Sequence, residues 1–315
     1  MQILSISAAE VERLLDPLAA MDVLAEGFKA LSAGRVQVPP RPMVSVPDKG
    51  FAMAMLACTP GQLISLKTVN VFHHNHALGL PSHVAVIQLF DPETGVPVAI
   101  MDGAVITGLR TAAAAMLTVR ELARMDAKVA TVIGGGVQGR DHTRLLGLVR
   151  PLDEIRVISR TRQSAERAAR GVAGARVVTD VAEAVRSSDI VCLTSSSDRP
   201  VIEASWVRPG THVTSVGFAP PGGELPRELA EQASVYVETR NAFSAPPVGC
   251  AELQGLDPQR GIELGELLSG LRPGRTSAEQ ITVYKSMGNA MEDMVVANLV
   301  YQSAKQQGVG RIIDL

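Results

Sequence analysis

The 315-residue sequence has few aromatic residues and almost no net charge. Only 3% of its residues are aromatic, and 30 basic residues against 32 acidic ones leave a formal charge of −2. Because no basic block breaks this balance, the chain lacks the electrostatic footprint of proteins that bind nucleic acid or anionic membranes. The composition therefore favours a protein that binds a small molecule, with neither nucleic acid nor a membrane as partner.

Cysteine is also scarce. Cys58, Cys192 and Cys250 lie far apart and outside any CxxC spacing, which predicts neither a disulfide framework nor a zinc site. The histidine-rich residues 73–76 have no cysteine or acidic partner at zinc spacing, so no metal is expected. No apolar run reaches membrane-spanning length, and the N-terminus lacks the pattern of an export signal. We expect a soluble, cytoplasmic protein.

The length and the hydrophobic content of 46% are sufficient for two domains. Before about residue 111 the pattern mixes helices and strands. After it, apolar strands alternate with amphipathic helices, as in a parallel sheet covered on both faces. The helix expected near the end of the chain could return to the first domain.

Periodicity and turn residues predict individual elements. Strands are expected at residues 50–58, 64–72, 83–90, 96–101, 129–133, 155–158, 177–178, 190–194, 212–216 and 235–237. Helices are expected at residues 21–31, 137–149, 165–172, 181–186 and 289–306. Ser7 and Glu10 have the spacing of a capping box that starts a first helix, whose apolar positions continue to Leu18. Another helical run is expected to open at Ser277, and Arg110 is expected near the N-terminus of a helix.

A glycine-rich turn follows the strand predicted at residues 129–133. It lies between a strand and a helix, with a second strand about 20 residues further on, as in a dinucleotide-binding fold. Gly134 would allow a tight turn, Gly136 a close approach to pyrophosphate, and Gly139 close packing of helix and strand. The N–H groups that open the helix, at Val137 and Gln138, would face the phosphate charge. The alternative is a glycine-rich turn that binds no ligand.

The end of the second strand indicates which dinucleotide is bound. NAD sites usually carry an acidic residue there for the ribose 2′-OH, but this sequence continues with Ser159, Arg160, Thr161 and Arg162. Arginine pairs well with phosphate, so we predict NADP(H) as the preferred cofactor and NAD(H) as the alternative. The arginines could also be merely solvated.

Several sequence runs together resemble the ornithine cyclodeaminase/mu-crystallin family over nearly the whole chain. They are Arg41, SLKTVN at 65–70, LFDPETG at 89–95, MDG at 101–103, LRTAAA at 109–114, IGGGVQ at 133–138, GRT at 274–276 and KSMG at 285–288. The resemblance implies an α/β fold: a Rossmann doubly wound parallel sheet at residues 113–289, plus a discontinuous α+β substrate and dimerisation domain at 1–112 and 290–315. It also implies a homodimer that binds a small α-imino or α-amino acid.

The same resemblance implies a substrate-carboxylate cluster of Arg41, Lys67 and Arg110, with Lys67 and Arg110 as catalytic residues. Such a cluster is chemically reasonable, because a bidentate arginine fixes the orientation of a carboxylate as well as its charge. By resemblance alone, four further residues lie near the nicotinamide: Thr111, Thr194, Ser195 and Ser286.

Two positions depart from the cyclodeaminases, and we expect both to contact substrate. Phe218 stands where those enzymes have an acid/base aspartate, and a phenyl ring cannot transfer protons. Met53 is the best match to their glutamate for the distal ammonium of ornithine, and a thioether carries no charge. The sequence therefore favours a ketimine reductase that reduces the C=N bond of a small, cyclic α-imino acid such as Δ1-pyrroline-2-carboxylate or Δ1-piperideine-2-carboxylate. An alanine-type dehydrogenase, an ornithine cyclodeaminase and a non-catalytic NADPH-binding protein are the alternatives.

Overall fold

The computed structural model describes residues 1–314, except for the side chains of His73 and His76. The chain folds as two compact units, Met1–Arg110 with Asn289–Leu315, and Thr111–Gly288. The sequence-based boundaries were 1–112 with 290–315, and 113–289. The binding and dimerisation roles assigned to these parts remain predictions.

The first unit begins with one strand and two helices and then continues as an antiparallel meander. Its elements are β1 (Gln2–Ile6), α1 (Ala8–Leu14), α2 (Pro17–Ser32), β2 (Met43–Val46), β3 (Gly50–Ala57), β4 (Ile64–Phe72), β5 (His83–Phe90), β6 (Pro97–Asp102) and the start of α3 (Gly103–Leu122). The α1 capping box at Ser7 is present, as predicted. The predicted continuation to Leu18 is wrong, because Asp16 accepts the Leu18 N–H and starts a second helix there.

The second unit alternates strands with helices or loops. Its elements after α3 are β7 (Val129–Ile133), α4 (Val137–Val149), β8 (Glu154–Ile158), α5 (Arg162–Ala169), β9 (Ala175–Val177), α6 (Val181–Arg186), β10 (Ile190–Leu193), β11 (His212–Ser215), α7 (Arg227–Gln232), β12 (Ser234–Val237), β13 (Gly261–Glu263), α8 (Leu264–Leu268) and β14 (Thr282–Lys285). These strands form one parallel sheet in the order β13-β12-β14-β11-β10-β7-β8-β9. The predicted doubly wound sheet is confirmed.

The strand order of this sheet reverses between β7 and β10. Strands β8 and β9 follow on one side of β7, whereas β10 and β11 lie on the other. In open parallel sheets, ligands bind in the crevice at the carboxyl ends of the strands flanking such a reversal. The Thr194 N–H, just after β10, donates to the Ile133 carbonyl at the end of β7 over 2.9 Å. The glycine turn and Thr194 therefore meet at this crevice.

The chain ends by completing the first unit with α9 (Ala290–Gln307) and β15 (Arg311–Asp314). The seven-stranded sheet has the order β15-β1-β6-β5-β4-β3-β2, and its pairs are antiparallel except β1 with β6. Helix α9 packs on β3, β4 and β5 and against α2. It approaches α2 closely at Gly27, where a Cβ atom would lie 2.3 Å from Met291 Sδ. Helix α9 therefore covers one face of the sheet.

Two further predictions of local structure are wrong. Residues 277–280 form a turn and not a helix: Ser277 Oγ accepts the Gln280 N–H over 3.1 Å, and the chain then enters β14. Pairing of β14 with both β11 and β12 overrides the local helical pattern. Arg110 lies within α3 and not at its N-terminus, because the helix already begins at Gly103.

Candidate active site

The glycine turn of the second unit has the geometry that its sequence predicts. Gly134 has φ +134°, and a Cβ atom there would lie 2.4 Å from Thr194 Oγ1. A Cβ atom on Gly139 would lie 1.9 Å from the Gly134 carbonyl oxygen, so only glycine lets the helix start this close to the turn. Gly136, by contrast, has nothing within 4 Å of its Cβ position. The turn thus has an open side at Gly136, where Val137 and Gln138 begin α4.

The residues after β8 lie beside this turn. A Cβ atom on Gly135 would lie 2.8 Å from Ser159 Oγ, which places Ser159 against the glycine turn. Arg160 is exposed, and Thr161 Oγ1 caps α5 by accepting the Ser164 N–H. Arg162 Nε lies 2.8 Å from Glu166 Oε1 on the surface of α5. Arg160 and Arg162 therefore differ, because a carboxylate already pairs with Arg162.

A buried carboxylate that the sequence analysis missed, Glu224, joins the ends of β10 and β11. Its Oε2 accepts the N–H and the hydroxyl of Ser195 over 2.6 and 2.7 Å. Its Oε1 accepts the Ser215 hydroxyl and the N–H groups of Val216 and Gly217 over 3.1, 3.2 and 2.7 Å. Glu224 is fully buried, so these five hydrogen bonds replace its hydration. The carboxylate fixes Ser195 and the loop that leads to Phe218.

Lys285, at the end of β14, holds the same loop from a second direction. Its ammonium donates to the Gly217 carbonyl over 2.6 Å and to Ser215 Oγ over 3.2 Å, and it pairs with Glu252 at 2.8 Å. Lys285 is fully buried, whereas Phe218, the residue that follows Gly217 in the loop, is 40% exposed. The backbone before Phe218 is thus anchored by two buried charged groups, and the phenyl ring itself is accessible.

The remaining residues assigned to the nicotinamide are buried in the second unit. Ser286 Oγ donates to Glu238 Oε1 over 2.6 Å, and Glu238 also accepts the Met287 and Gly288 N–H groups. Thr194 and Thr111 are 7% and 6% exposed. Glu238 therefore holds the hydroxyl proton of Ser286, which leaves the Ser286 oxygen able to act only as an acceptor.

In the first unit, Lys67 projects from β4 into the face of the sheet that α9 covers. Cross-strand pairing places it opposite Met55 in β3 and Ile87 in β5, both buried apolar residues. Only 2% of the Lys67 side chain is exposed. Its ammonium lies 2.6 Å from Asp293 Oδ2 and 3.4 Å from Thr107 Oγ1. A buried ammonium requires such partners, because desolvation strongly disfavours an unpaired charge.

Arg110 is held by the same helix. Its Nε lies 3.1 Å from Asp293 Oδ1, and its Nη1 lies 3.0 Å from Glu292 Oε2. Lys67 and Arg110 thus share one carboxylate, each on a different oxygen, and all of these side chains are almost fully buried. The capping box of α9 adds rigidity, because Glu292 Oε1 also accepts the Asn289 N–H over 2.6 Å. We call Lys67, Arg110, Glu292 and Asp293 the buried ionic cluster.

This cluster changes how its members titrate. Burial lowers the pKa of Lys67 to about 8, although attraction to Asp293 opposes this. Burial acts to raise the pKa of Asp293, but attraction to Arg110 and Lys67 outweighs it, and the pKa lies below its ordinary value. Asp293 is therefore ionised at neutral pH, and the Lys67 ammonium can release a proton under mildly alkaline conditions.

Three further residues share the sheet face of Lys67 or act electrostatically on the cluster. Arg41 is half-buried, and its charge contributes to lowering the pKa of Asp293. Met53 pairs with Val69, two residues along from Lys67, and so shares its face of the sheet. His83 lies on that face too; burial, with repulsion from Lys67 and Arg110, lowers its pKa. The structure thus brings together the predicted Arg41, Lys67 and Arg110, while Phe218 belongs to the other unit.

Sequence reasoning missed the acidic members of the cluster, Glu292 and Asp293. They pair with Arg110, more than 180 residues earlier in the chain, so no local sequence spacing predicts the contact. One signal was present: two adjacent acidic residues interrupt a helix whose neighbouring residues, Met291 and Met294, are apolar and buried. Buried charges need partners, and this pattern could have indicated the ion pairs.

Among the described side chains, no group of three or more His, Cys, Asp or Glu residues is placed to hold a metal ion. The side chains of His73 and His76, which the sequence analysis considered as ligands, lie outside the described residues. Within residues 1–314, no helix is both long and apolar enough to cross a membrane.

The parallel sheet, its reversal and the glycine turn define a Rossmann-type protein. The chain belongs to the ornithine cyclodeaminase/mu-crystallin family, whose pattern it matches over residues 2–308. The family resemblance found in the sequence is thereby confirmed.

Named relatives cover nearly all of the chain. The ketimine reductase mu-crystallin of Mus musculus is 37% identical over 294 residues, which are 92% of this chain and 91% of that protein. The structure of the Thermococcus litoralis Δ1-pyrroline-2-carboxylate reductase, in complex with NADH and L-proline, is 30% identical with a TM-score of 0.92 and covers 98% of this chain and 99% of its own. An archaeal alanine dehydrogenase dimer with bound NAD is 32% identical, with a TM-score of 0.89 and complete coverage of both chains.

Proposed function

We propose that this protein is an NAD(P)H-dependent reductase of small α-imino acids, of the ketimine or Δ1-pyrroline-2-carboxylate reductase type. The observation that carries the proposal is the buried pairing of Lys67 and Arg110 through Asp293. It supplies positive charge for a substrate carboxylate and an ammonium that can transfer a proton near neutral pH. The relatives that act on imino acids support the same reaction class.

The charges of the cluster suit one carboxylate. Lys67 and Arg110 contact the α9 carboxylates directly, and the charge of Arg41 acts on Asp293 as well, so three cations are available near one position. A guanidinium that orients this carboxylate would fix the imine carbon and nitrogen as well. Met53, on the same sheet face, offers an apolar contact to a ring or aliphatic chain and no charge for a second amino group.

Lys67 is the proposed proton donor. Its ammonium gives one proton to the imine nitrogen, the C=N π electrons become the nitrogen lone pair as hydride bonds to carbon, and the Lys67 amine regains a proton from water. A donor whose pKa is about 8 is protonated at neutral pH and still acidic enough to transfer the proton. The product is a secondary amine when the substrate is a cyclic imine.

The second unit fits a nicotinamide dinucleotide, which supplies the hydride when bound. We propose that Gly134, Gly136, Val137, Gln138 and Gly139 hold its pyrophosphate, because the open side of the turn lies at Gly136. We further propose NADP(H) as the preferred form. The exposed Arg160 would pair with a 2′-phosphate, assisted by the three residues around it: Ser159, Thr161 and Arg162.

We propose that the nicotinamide is contacted by residues at the ends of parallel strands in the second unit and by one buried residue of α3. Thr194 and Ser195 follow β10 directly, and Ser286 follows β14. Thr111 is the residue after Arg110 in α3. Phe218, held at the end of β11 by the anchored loop, is the apolar group that we assign to the substrate in this unit.

The test is a screen of NADPH and NADH oxidation by the purified chain. We expect turnover with Δ1-pyrroline-2-carboxylate and Δ1-piperideine-2-carboxylate without added ammonia. Turnover only with a 2-oxo acid plus ammonia would identify an amino-acid dehydrogenase, which the alanine dehydrogenase relative makes the second candidate. Ammonia release from ornithine would indicate cyclodeamination. NADPH binding without turnover of any substrate would indicate a binding protein.

We also propose a homodimer formed through the outer face of the seven-stranded sheet. That face, opposite Lys67, carries Val44, Leu56 and Val84, which are 68, 40 and 42% exposed. Exposed apolar residues that share one sheet face are typical of a protein interface. Sedimentation equilibrium should give twice the chain mass of 33.3 kDa, and a monomer at all concentrations would contradict this proposal.

A further inference from the structure

The two carboxylates of the buried ionic cluster make different sets of contacts with its two cations. Asp293 contacts both Lys67 and Arg110, at 2.6 and 3.1 Å, whereas Glu292 contacts Arg110 at 3.0 Å and the N-terminus of its own helix. Both acidic residues therefore hold Arg110, but only Asp293 also pairs with Lys67. The proton donor proposed above is held by Asp293, and Glu292 braces the guanidinium.

We propose that Asp293 is the positioning residue for proton transfer by Lys67, and that Glu292 has the separate role of orienting Arg110 for the substrate carboxylate. This inference rests on the proposed reductase function. Asp293 does not act as an acid or base itself. Its Oδ2 fixes the ammonium nitrogen and favours the charged form of Lys67, so the proton is available when the imine arrives.

The surroundings of Lys67 support this division. Charged or titratable groups face it from four places: Asp293 and Glu292 in α9, Arg110 in α3, His83 in β5 and Arg41 before β2. Burial and Arg110 both lower the pKa of Lys67, and attraction to Asp293 is the largest influence that raises it. Attraction to Glu292 acts in the same direction but ranks behind Asp293. Without Asp293, an ammonium in this apolar position would lose its proton at lower pH.

The sign of the effect on catalysis follows. Imine reduction needs the protonated form of Lys67, so kcat/KM should decline as pH rises through the Lys67 pKa near 8. Asp293→Asn removes an opposite charge in direct contact, which typically changes a pKa by about one unit or more. The alkaline decline should therefore begin about one pH unit lower in D293N. At the pH where wild type has lost half of its activity, D293N should retain about a tenth.

Glu292→Gln is the matched control, because it makes the same carboxylate-to-amide change on the adjacent residue of α9. We expect E292Q to shift the alkaline decline by less than half as much as D293N and to act mainly on the KM of the imino acid. Binding of L-proline to the NADP⁺-loaded protein, measured by calorimetry, provides a readout apart from turnover. E292Q should weaken this affinity at pH 7, because Arg110 then keeps only its ion pair with Asp293.

Folding of D293N is checked by its thermal transition, and Asp293→Glu serves if the asparagine variant does not fold. D293E keeps the charge but displaces it, so its kcat should fall while the pH of the alkaline decline stays close to wild type. A pH profile of D293N that superimposes on wild type, or equal shifts in D293N and E292Q, would overturn the inference. If D293E is used, an unchanged kcat would do the same. Failure of the wild-type protein to reduce any imino acid would instead refute the proposed function.

Discussion

Replacement of Arg160 by alanine should reverse or erase a preference for NADPH. Arg160 is exposed two residues after the end of β8. Its neighbour Ser159 lies against the glycine turn, 2.8 Å from the position of a Cβ atom on Gly135. A hydrogen bond to a charged group contributes about 1.5–3 kcal/mol, which corresponds to about 10- to 150-fold in kcat/KM. Because solvent screens an exposed guanidinium, we expect the lower end, about tenfold for NADPH, with little change for NADH.

Arg162→Ala is the matched control for this prediction. Its guanidinium already pairs with Glu166 at 2.8 Å, and both side chains are largely exposed. A phosphate would have to share this arginine with a carboxylate, so R162A should lower kcat/KM for NADPH by less than about threefold. Neither substitution should change the melting temperature noticeably, because exposed positions contribute little to stability.

The assay is the initial rate with each cofactor at several concentrations, using whichever cyclic imino acid the wild-type protein reduces. Calorimetric titration of NADPH and NADH provides the same comparison without turnover. An unchanged NADPH-to-NADH ratio in R160A would refute the assignment of this arginine to the 2′-phosphate. A wild-type preference for NADH would refute the NADP(H) assignment as a whole.

Three other substitutions test the remaining assignments. Lys67→Met should abolish turnover while NADPH binding, followed by fluorescence, persists; full activity would exclude Lys67 as proton donor. Gly139→Ala places a Cβ 1.9 Å from a carbonyl oxygen, so it should lower the free energy of unfolding by about 1–3 kcal/mol in thermal unfolding and weaken NADPH binding. The control is Gly147→Ala in open space on α4, which should raise the free energy of unfolding slightly. Glu224→Gln should lower the free energy of unfolding by about 2–4 kcal/mol in denaturant titrations, because buried hydrogen bonds are lost. The control Glu228→Gln, at an exposed position, should leave the free energy of unfolding almost unchanged. Equal effects of the two substitutions would contradict the role given to Glu224.

Much of the second unit could be predicted because its signals are local. The strand at Val129–Ile133 and the helix at Val137–Val149 have the predicted bounds, since an apolar run, a glycine turn and an amphipathic pattern follow each other directly. The strand Thr282–Lys285 was missed because its stabilisation comes from two neighbouring strands and not from its own sequence. Similarly, Gly261–Glu263 is too short to show a period.

The cations of the candidate site were predicted from the family resemblance, and two kinds of residue also have a signal in their own segment. Lys67 could be identified because a lysine interrupts an apolar strand, and Gly139 because of its spacing from Gly134. The partners Asp293 and Glu224 could not, since their contacts depend on how distant segments pack. The sequence therefore indicated the basic residues of the candidate site, whereas their acidic partners were identified only from the folded structure.

The anchored loop at the end of β11 separates the shape of the site from its chemistry. Glu224 and Lys285 hold the backbone N–H and carbonyl of Gly217, and neither contact involves the side chain of residue 218. Phe218, which the family resemblance places at the aspartate position of cyclodeaminases, therefore lies directly after a backbone segment that is held independently of it. A loop that is held through its backbone can carry different side chains at one position, so the same fold can support different reactions.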